Sequence, residues 1–590
     1  MPDKEIIPPP KHAAALAIPS SLDFWESFLA PFLEKYFLVL TLCLIAIGSA
    51  RIISTYNALS LTVDEPEHFA AGLEYVAKHV YRLQTQHAPL SRAFQAFGPY
   101  LAGARPTGLT VPADESYSIL ARTGNFDRIV FLMRLGNLPF FLLACLVVCG
   151  WSWHTFGKPI AVVATGIFTL LPTILADAGL ATPDMALTAT VSASFFAAIL
   201  WAERPTVWRS VLLGLFAALA CLSRFTALGY IPTAVCIGLA FHLAVSWPGW
   251  RELMGSAQRL ALPFALVLGT TALVIWAGYW FSVGSVGSEV LGGHLGRNFN
   301  VPAPEFFDGI RKALHHNRAG HAAFLLGQFR MTGWWYYYPV ALAVKTPIPF
   351  LILLALGILV CLKERKRTEW LLPLAFCLGI LLPAMRSRID IGIRHVGPLY
   401  VGFSIIAALG LKKLLQLGRS RTAATLAAGA LAGWMVISGA VQHPDYLAYF
   451  NAFAGKSPEK ILVDSNYDWD QDTRFLAKRL HELGVQEFSL TLWQGIKFSD
   501  YREAWYRLPK IKQDFDFCAP SPGWSVVSPT FDRAAKFDLY GPELPQPPCV
   551  MDPWYHKVAP TERVGPLLLY YSPNPGESAP LAELGDSKRD

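Results

Sequence analysis

Thr62-Val63-Asp64-Glu65-Pro66-Glu67-His68 stands just beyond the first long apolar run of the chain, Tyr36–Tyr56. Acids gathered at the end of a run long enough to cross a bilayer either cap a helix or do chemistry at a membrane face. The rest of the chain decides which. Asp64 with Glu67 three residues on, and Pro66 between them, has the form of a capping box at a helix start. A carboxylate at such a rigid, half-wet place can also serve as a general base.

Composition sets the class. Of 590 residues 53% are hydrophobic and only 16% charged, where a soluble chain carries about 25% charge. Mean hydropathy is +0.36. The chain therefore reads as mostly α, a polytopic helical membrane protein. Apolar runs recur near 128–151, 159–176, 184–202, 208–223, 226–246, 260–283, 338–362, 370–385, 393–411 and 422–441. With the first they make about eleven spans at roughly 20 residues each. The net charge of +7 is scattered, which argues against nucleic-acid binding.

Basic loops orient the spans. Arg204/Arg209, Arg251/Arg259, Lys363-Glu364-Arg365-Lys366-Arg367 and Lys412/Lys413/Arg419/Arg421 all fall on one side. That side is read as cytoplasmic, together with an N-terminal segment 1–34 whose residues 21–34 form an amphipathic lead-in. The expected division is that segment, a transmembrane module 35–441 with outer loops 57–127 and 284–337, and an extracytoplasmic C-terminal α/β domain 442–590. In the first outer loop, Phe69, Leu73, Val76, Val80 and Leu83 recur at helical spacing, and a second helix starts at Pro89 with Leu90, Phe94, Phe97 and Leu101 on one stripe. In the C-terminal part Ile461-Leu462-Val463 reads as a strand, Asp472–Leu483 as a helix stopped by Gly484, and Glu487–Leu492 as the next strand, one βαβ unit. Trp524–Ser528 and Pro566–Tyr571 are further strands. Seven of the nine cysteines lie in apolar runs; Cys518 and Cys549 lie in the polar part, placed to pair if it is extracytoplasmic.

Charge at the outer ends of spans is the second signal, because charge near hydrocarbon is costly. Arg224 sits in a short turn, Lys345 inside Val344-Lys345-Thr346-Pro347, and Arg386, Arg388 and Arg394 surround another turn, with His395 beside the last. A bound anion, phosphate above all, explains such an excess; snorkelling to headgroups is the bland reading. Asp184, alone in Ala181-Thr182-Pro183-Asp184, reads as a helix cap. Asp464-Ser465-Asn466-Tyr467-Asp468-Trp469-Asp470-Gln471-Asp472 imitates a calcium loop, but Trp469 stands where glycine is required and Phe475 where the bidentate glutamate belongs. Gly333-Trp334-Trp335-Tyr336-Tyr337-Tyr338 reads as an interfacial aromatic belt first, with stacking on a sugar as the other reading.

These motifs together resemble the polyprenyl-phosphate-sugar-dependent glycosyltransferases of the GT-C superfamily, in particular family 39, the protein O-mannosyltransferase and aminoarabinose-transferase branch with its bacterial members. Asp64-Glu65 sits where that family has an acidic pair. Gln86-His87-Ala88-Pro89-Leu90-Ser91-Arg92 is similar to its His-Pro-Pro-Leu-small-Lys segment, with Ala88 for the first proline and Arg92 for lysine. Thr182-Pro183-Asp184, Val344-Lys345-Thr346-Pro347, Arg394-His395-Val396-Gly397-Pro398 and the segment His443–Trp469 resemble later motifs; Asp470 departs from the usual glycine. The resemblance implies inverting transfer of a sugar from a polyprenyl-phosphate donor to an acceptor hydroxyl on protein, lipid or glycan. Asp64 would be the base and Glu65 its catalytic partner. Arg394, Lys345, Arg92, Arg224 and His395 would hold the donor phosphate, and His87, Asp184 and His68 would position substrate. No metal ligand set is evident, and a divalent metal stays open. The implied setting is a bacterial inner membrane, since no Asn-x-Ser/Thr sequon occurs in the outer segments. The alternatives are a transporter or flippase of lipid-linked sugars, and a non-enzymatic scaffold.

Overall fold

The computed structural model describes residues 24–286, 299–417, 421–491, 498–512, 515–535 and 548–573. All eleven apolar runs are helical. Seven helices are long and apolar enough to cross a membrane as they stand: Phe37–Thr55, Phe126–Phe156, Asp184–Glu203, Ala227–Val245, Gln258–Gly278, Leu399–Gln416 and Thr422–Val441. Two shorter apolar helices, Val207–Ser223 and Thr368–Ala384, are the runs expected at 208–223 and 370–385. Arg419 and the first three residues of the lead-in, 21–23, lie outside the described residues; Trp25–Lys35 is helical, which covers the rest of the lead-in from residue 25.

Two runs read as straight spans are broken. Lys158–Leu170 and Pro172–Gly179 meet at 65°, and Tyr337–Lys345 and Ile348–Lys363 at 119°. The cause is local. Each break falls at a residue before proline, Leu171 and Thr346, and both are extended. Proline disfavours the α region for its predecessor and cannot donate to the preceding turn. The second break leaves helix-end carbonyls without partners in an apolar setting. Asn451 supplies them: its side-chain amide donates to the Ala343 carbonyl (2.6 Å) and the Thr346 carbonyl (2.7 Å), and its backbone N–H to Val344 (2.9 Å). Asn451→Ala should therefore lower stability by about 1–3 kcal/mol, the cost of stranding buried carbonyls, seen as a lower thermal midpoint in micelles.

Small residues let helices touch. Gly357 in Ile348–Lys363 and Gly410 in Leu399–Leu417 face each other's backbone. A Cβ on Gly357 would lie 1.9 Å from the Ile406 carbonyl oxygen, and one on Gly410 2.0 Å from that of Leu353.

The loop between the first two spans is helical, as its periodicity predicts, but shorter and richer. Glu65–Lys78 ends at His79, φ 55°, so Val80 and Leu83 lie beyond it. Pro89–Leu101 follows with Phe94, Phe97 and Leu101 exposed. A third helix, Pro112–Thr123, was not foreseen. Two small antiparallel hairpins, β1 (Val283–Val286) with β2 (Phe299–Pro302) and β3 (Ala323–Leu325) with β4 (Gln328–Arg330), interrupt the later loop around helix Pro304–Ala319.

The C-terminal part carries a five-stranded sheet of β5 (Glu487–Thr491), β6 (Lys510–Lys512), β7 (Gly523–Val527), β8 (Glu562–Val564) and β9 (Leu567–Ser572), in the order β6-β5-β7-β9-β8. β5 is parallel to β6 and β7, and β9 is antiparallel to β7 and β8. The expected first strand, Ile461–Val463, is absent from the sheet. These residues are turn and coil, and Ile461 accepts from Leu326 N–H (3.0 Å) at the β3–β4 hairpin. The βαβ unit comes one step later, as β5, helix Ser499–Tyr506 and β6. Composition changes near 442, but packing changes later. Tyr446, Leu447, Leu462 and Trp469 belong to the core of the helical module, and a separate core starts at Leu476. Cys518 and Cys549 are joined, with Cα atoms 4.8 Å apart.

Candidate active site

The capping box does not form. Asp64 is the N-cap residue of Glu65–Lys78, yet its carboxylate makes no cap bond, and Glu67 instead accepts from Gln84 Nε2 (2.5 Å). Asp64 Oδ2 accepts from both terminal nitrogens of Arg394, each at 3.1 Å. The two residues are 330 positions apart. The side chain of Asp64 remains 36% exposed while that of Arg394 is 5% exposed, so the acid lies at the mouth and the arginine behind it.

Arg394 sits on the short 3-10 turn Ile393–Val396, ahead of the helix that starts at Leu399, so the run expected at 393–411 is shorter at its start. Its Nε donates to Ser465 Oγ (3.0 Å), Nη1 also reaches Asp184 Oδ2 (3.4 Å), and the guanidinium lies 3.9 Å over the Trp469 ring. These contacts outweigh burial and hold its pKa above the usual arginine value; burial alone would lower it, and Asp64 and Asp184 raise it.

Asp184 is not a lone cap. It is fully buried, with Oδ1 on Arg224 and Oδ2 on Arg394. Arg224 in turn meets His395 Nε2 (2.9 Å), and His395 Nδ1 lies 3.5 Å from the Tyr338 hydroxyl. An arginine can only donate, so His395 Nε2 accepts and its proton is on Nδ1. Burial first, then Arg224 and Arg394, push the His395 pKa well below the ordinary value, which keeps the ring neutral. The aromatic stretch 333–338 is only partly a surface belt: Trp334, Tyr337 and Tyr338 are buried at this cluster and Trp335 is exposed.

Three residues expected at the site are engaged in buried contacts of their own. Glu65, expected beside Asp64 as a catalytic partner, is wholly buried and pairs bidentately with Arg134 (2.8 Å and 2.8 Å). It also accepts from Thr62 N–H (2.8 Å) and Ala181 N–H (2.8 Å). Burial raises its pKa, but Arg134 and these N–H groups outweigh it and the net shift is downward. Glu65 ties the loop together and has no free lone pair direction for an acceptor. Arg92, expected on the phosphate, is also fully buried, with its N–H groups spent on His68 Nδ1, the Tyr81 hydroxyl and Gln84. Lys345 donates to the Leu447 carbonyl (2.7 Å) and the Asn466 carbonyl (2.5 Å) and lies 4.3 Å from the Phe450 ring. It clasps the segment after the last span against the broken helix.

His68 and His87 stand beside the cluster, their rings edge-to-face at 5.2 Å. Because Arg92 donates to His68 Nδ1, His68 carries its proton on Nε2, and that atom is buried with no partner among the described residues. Burial foremost, then Arg92, lowers both histidine pKa values well below the usual range.

Two members were missed. Arg134 lies inside the apolar run 128–151, and the test applied to Lys345, a cation within such a run, would have found it. Asp177 closes the broken helix Pro172–Gly179; it is 4% exposed, with Oδ2 unpartnered among the described residues. The run's end hid it. Arg386 and Arg388 are exposed, outside the cluster.

The acid series behind the site is wired to the C-terminal part. Asp464 is buried and pushed up to about 6. Asp468, bonded to Ser528, is pushed up to about 7 by burial and then by Asp470. Asp470 takes φ 70°, a conformation natural to glycine. Aspartate tolerates it better than most residues, and here its carboxylate makes a buried pair with Arg502 (2.6 Å). Among the described residues, no group of three or more His, Cys, Asp or Glu is placed to hold a metal ion.

Fold and site define a multi-pass membrane protein with a buried cluster of ion pairs where helix ends and loops converge. No family model matches the chain and no curated protein matches it. Among solved structures it is similar to ArnT from Cupriavidus metallidurans bound to undecaprenyl phosphate, at 14% identity over 90% of this chain and 97% of that one, with a TM-score of 0.46. It is also similar to the apo oligosaccharyltransferase of Archaeoglobus fulgidus, at 14% identity over 81% of this chain and 64% of that one, with a TM-score of 0.45.

Proposed function

We propose that the chain is an inverting glycosyltransferase that moves a sugar from a polyprenyl-phosphate donor to an acceptor hydroxyl at the extracytoplasmic face of a bacterial inner membrane. The observation that carries this is the direct contact of Asp64 with Arg394. A single-displacement transfer needs a base for the attacking hydroxyl and a cation for the departing phosphate, on opposite sides of one anomeric carbon. Asp64 takes the acceptor proton as its oxygen bonds to the anomeric carbon. The bond from that carbon to the phosphate oxygen breaks, and its electron pair leaves with the phosphate.

At 3.1 Å the pair is closed, and no sugar fits between its members. The donor phosphate competes with Asp64 for Arg394, and its entry frees the carboxylate to act as base. Arg224, at 12% side-chain exposure, and neutral His395 stand next to Arg394 to share the phosphate. Asp184 keeps the two arginines together and so positions them. His68, held by Arg92, offers its Nε2–H to substrate. Arg92 and Lys345 act through the parts they hold. Buried charge falls at helix ends and breaks, as at Asp177, Asp184, Lys345 and Arg394, which suits a site at one face.

The test is purified protein in nanodiscs with a radiolabelled polyprenyl-phosphate sugar and a mixed pool of hydroxyl acceptors. Release of free polyprenyl phosphate together with label on an acceptor is the expected result. Donor that crosses the bilayer intact, or donor that stays unconsumed, overturns the reading.

A further inference from the structure

At the far end of helix Glu65–Lys78 lies a cavity of about 110 Å³ walled by Tyr81, Tyr279, Trp280, His79 and Arg82, with Ser282 and Glu305 also lining it. The helix has 14 residues, so about 21 Å separates this cavity from the Asp64 end. It is a different place from the ion-pair cluster.

Its walls are built with strain. Trp280 and Phe281 are consecutive non-glycine residues at φ 55° and 53°, and His79 is at φ 55°. This backbone is disfavoured for residues that carry a side chain and is found where the surroundings force it. The result is a ring platform. Trp280 lies tilted against His79 with centroids 4.1 Å apart, and the Tyr75 ring is 5.6 Å away. Trp280 keeps 46% of its surface exposed. Beside the platform Glu305 lines the cavity, and its Oε2 accepts from Ser282 Oγ (2.6 Å). Tyr279 is only 3% exposed, and its hydroxyl has no partner among the described residues. A buried hydroxyl without a partner is costly and points to a ligand that supplies one.

An aromatic face, a carboxylate and an unpaired hydroxyl together select a flat, uncharged ring bearing hydroxyls. The aromatic face takes the C–H side of a pyranose, and Glu305 and Tyr279 take its hydroxyls. The volume excludes a polyprenyl chain or a folded peptide, and because Arg82 and Glu305 both line the cavity the experiment carries a phosphate probe as well. A connection runs back to the cluster: the Tyr81 hydroxyl accepts from Arg92 (2.7 Å), whose Nη2 reaches His68 (2.8 Å). We propose that this cavity binds one pyranose of a carbohydrate acceptor, away from the point of transfer. This rests on the transferase reading only for the word acceptor.

The experiment is saturation-transfer NMR on the full chain in nanodiscs, free of sugar-headed detergent, with the methyl glycosides of mannose, glucose and galactose as probes. At least one glycoside should show saturated ring protons. Trp280→Ala should abolish the signal, Trp280→Phe should restore most of it, and Tyr279→Phe and Glu305→Gln should weaken it several-fold. An unchanged thermal midpoint in Trp280→Ala separates lost binding from lost folding. No saturation with any glycoside, equal saturation in Trp280→Ala, or a Trp280-dependent response to glycerol phosphate instead overturns the proposal. Asp64→Asn should leave the signal intact. Sugar binding without transfer would sink the transferase reading alone, and transfer without sugar binding would sink this site alone.

Discussion

Asp64→Asn is expected to lower sugar transfer by about 10²- to 10⁴-fold, the usual contribution of a positioned general base, while the thermal midpoint stays near that of the parent. The asymmetry follows from where the residue sits. Asp64 is over a third exposed, so the change strands no buried charge. Arg394 keeps Asp184, Ser465 and the Trp469 ring. Asparagine keeps an oxygen to accept from Arg394 but cannot take a proton. Donor binding should hold or tighten, because the competing carboxylate has gone. Arg394→Gln in parallel should weaken donor binding, since it removes the cation the phosphate needs and leaves Asp184 on Arg224 alone. If Asp64→Asn transfers sugar at the parental rate, Asp64 is not the base. If it fails to fold, its role is the pairing itself.

What could be read from the sequence follows the range of the forces involved. Apolar run length is a local property with a simple physical threshold, so each run expected to cross is helical. Both breaks fall at Leu171-Pro172 and Thr346-Pro347, but the rule on residues before proline does not single them out, since Pro232, Pro263, Pro373 and Pro383 lie inside continuous helices. Asp64, Arg224 and Arg394 stood out by charge at a membrane face, Asp184 read as a cap and His395 as a neighbour of Arg394, and a chain of contacts joins the five. Their partners were not readable, because Asp64 meets Arg394 only when the first loop folds over a turn hundreds of residues later. For the same reason the local pattern misled at Asp64 and Glu67. A capping box is a short-range option, and Arg394 and Gln84 are stronger partners than the helix's own N–H groups. Ile461–Val463 is apolar enough for a strand, but burial against the helical module takes it out of the sheet.

Arg134→Met is expected to be the most damaging single change to stability, about 3–5 kcal/mol, because it leaves the Glu65 carboxylate as an uncompensated buried charge. Both side chains of the pair are 0% exposed, so solvent cannot take over. Arg134 also donates to the Tyr56 carbonyl (2.6 Å), the Leu59 carbonyl (2.9 Å) and the Ser60 carbonyl (2.6 Å). One arginine thus fixes the exit from the first span and the entry to the helix Glu65–Lys78. Glu65→Gln alone should cost less, since a neutral amide can still accept from Thr62 and Ala181. Glu65→Gln combined with Arg134→Met should recover part of the loss, because no charge is left buried. Recovery should be incomplete, as the three carbonyls still lack their donor. Denaturation midpoints of the two singles and the double form the cycle that measures this. Strict additivity would mean that the pair does not couple. A parental midpoint for Arg134→Met would mean that the loop is held by something else. The cycle also separates positioning from chemistry at Glu65. A partner acting directly on the acceptor would lose turnover in Glu65→Gln at an unchanged midpoint, whereas a strut loses turnover only as far as the Asp64 helix is loosened.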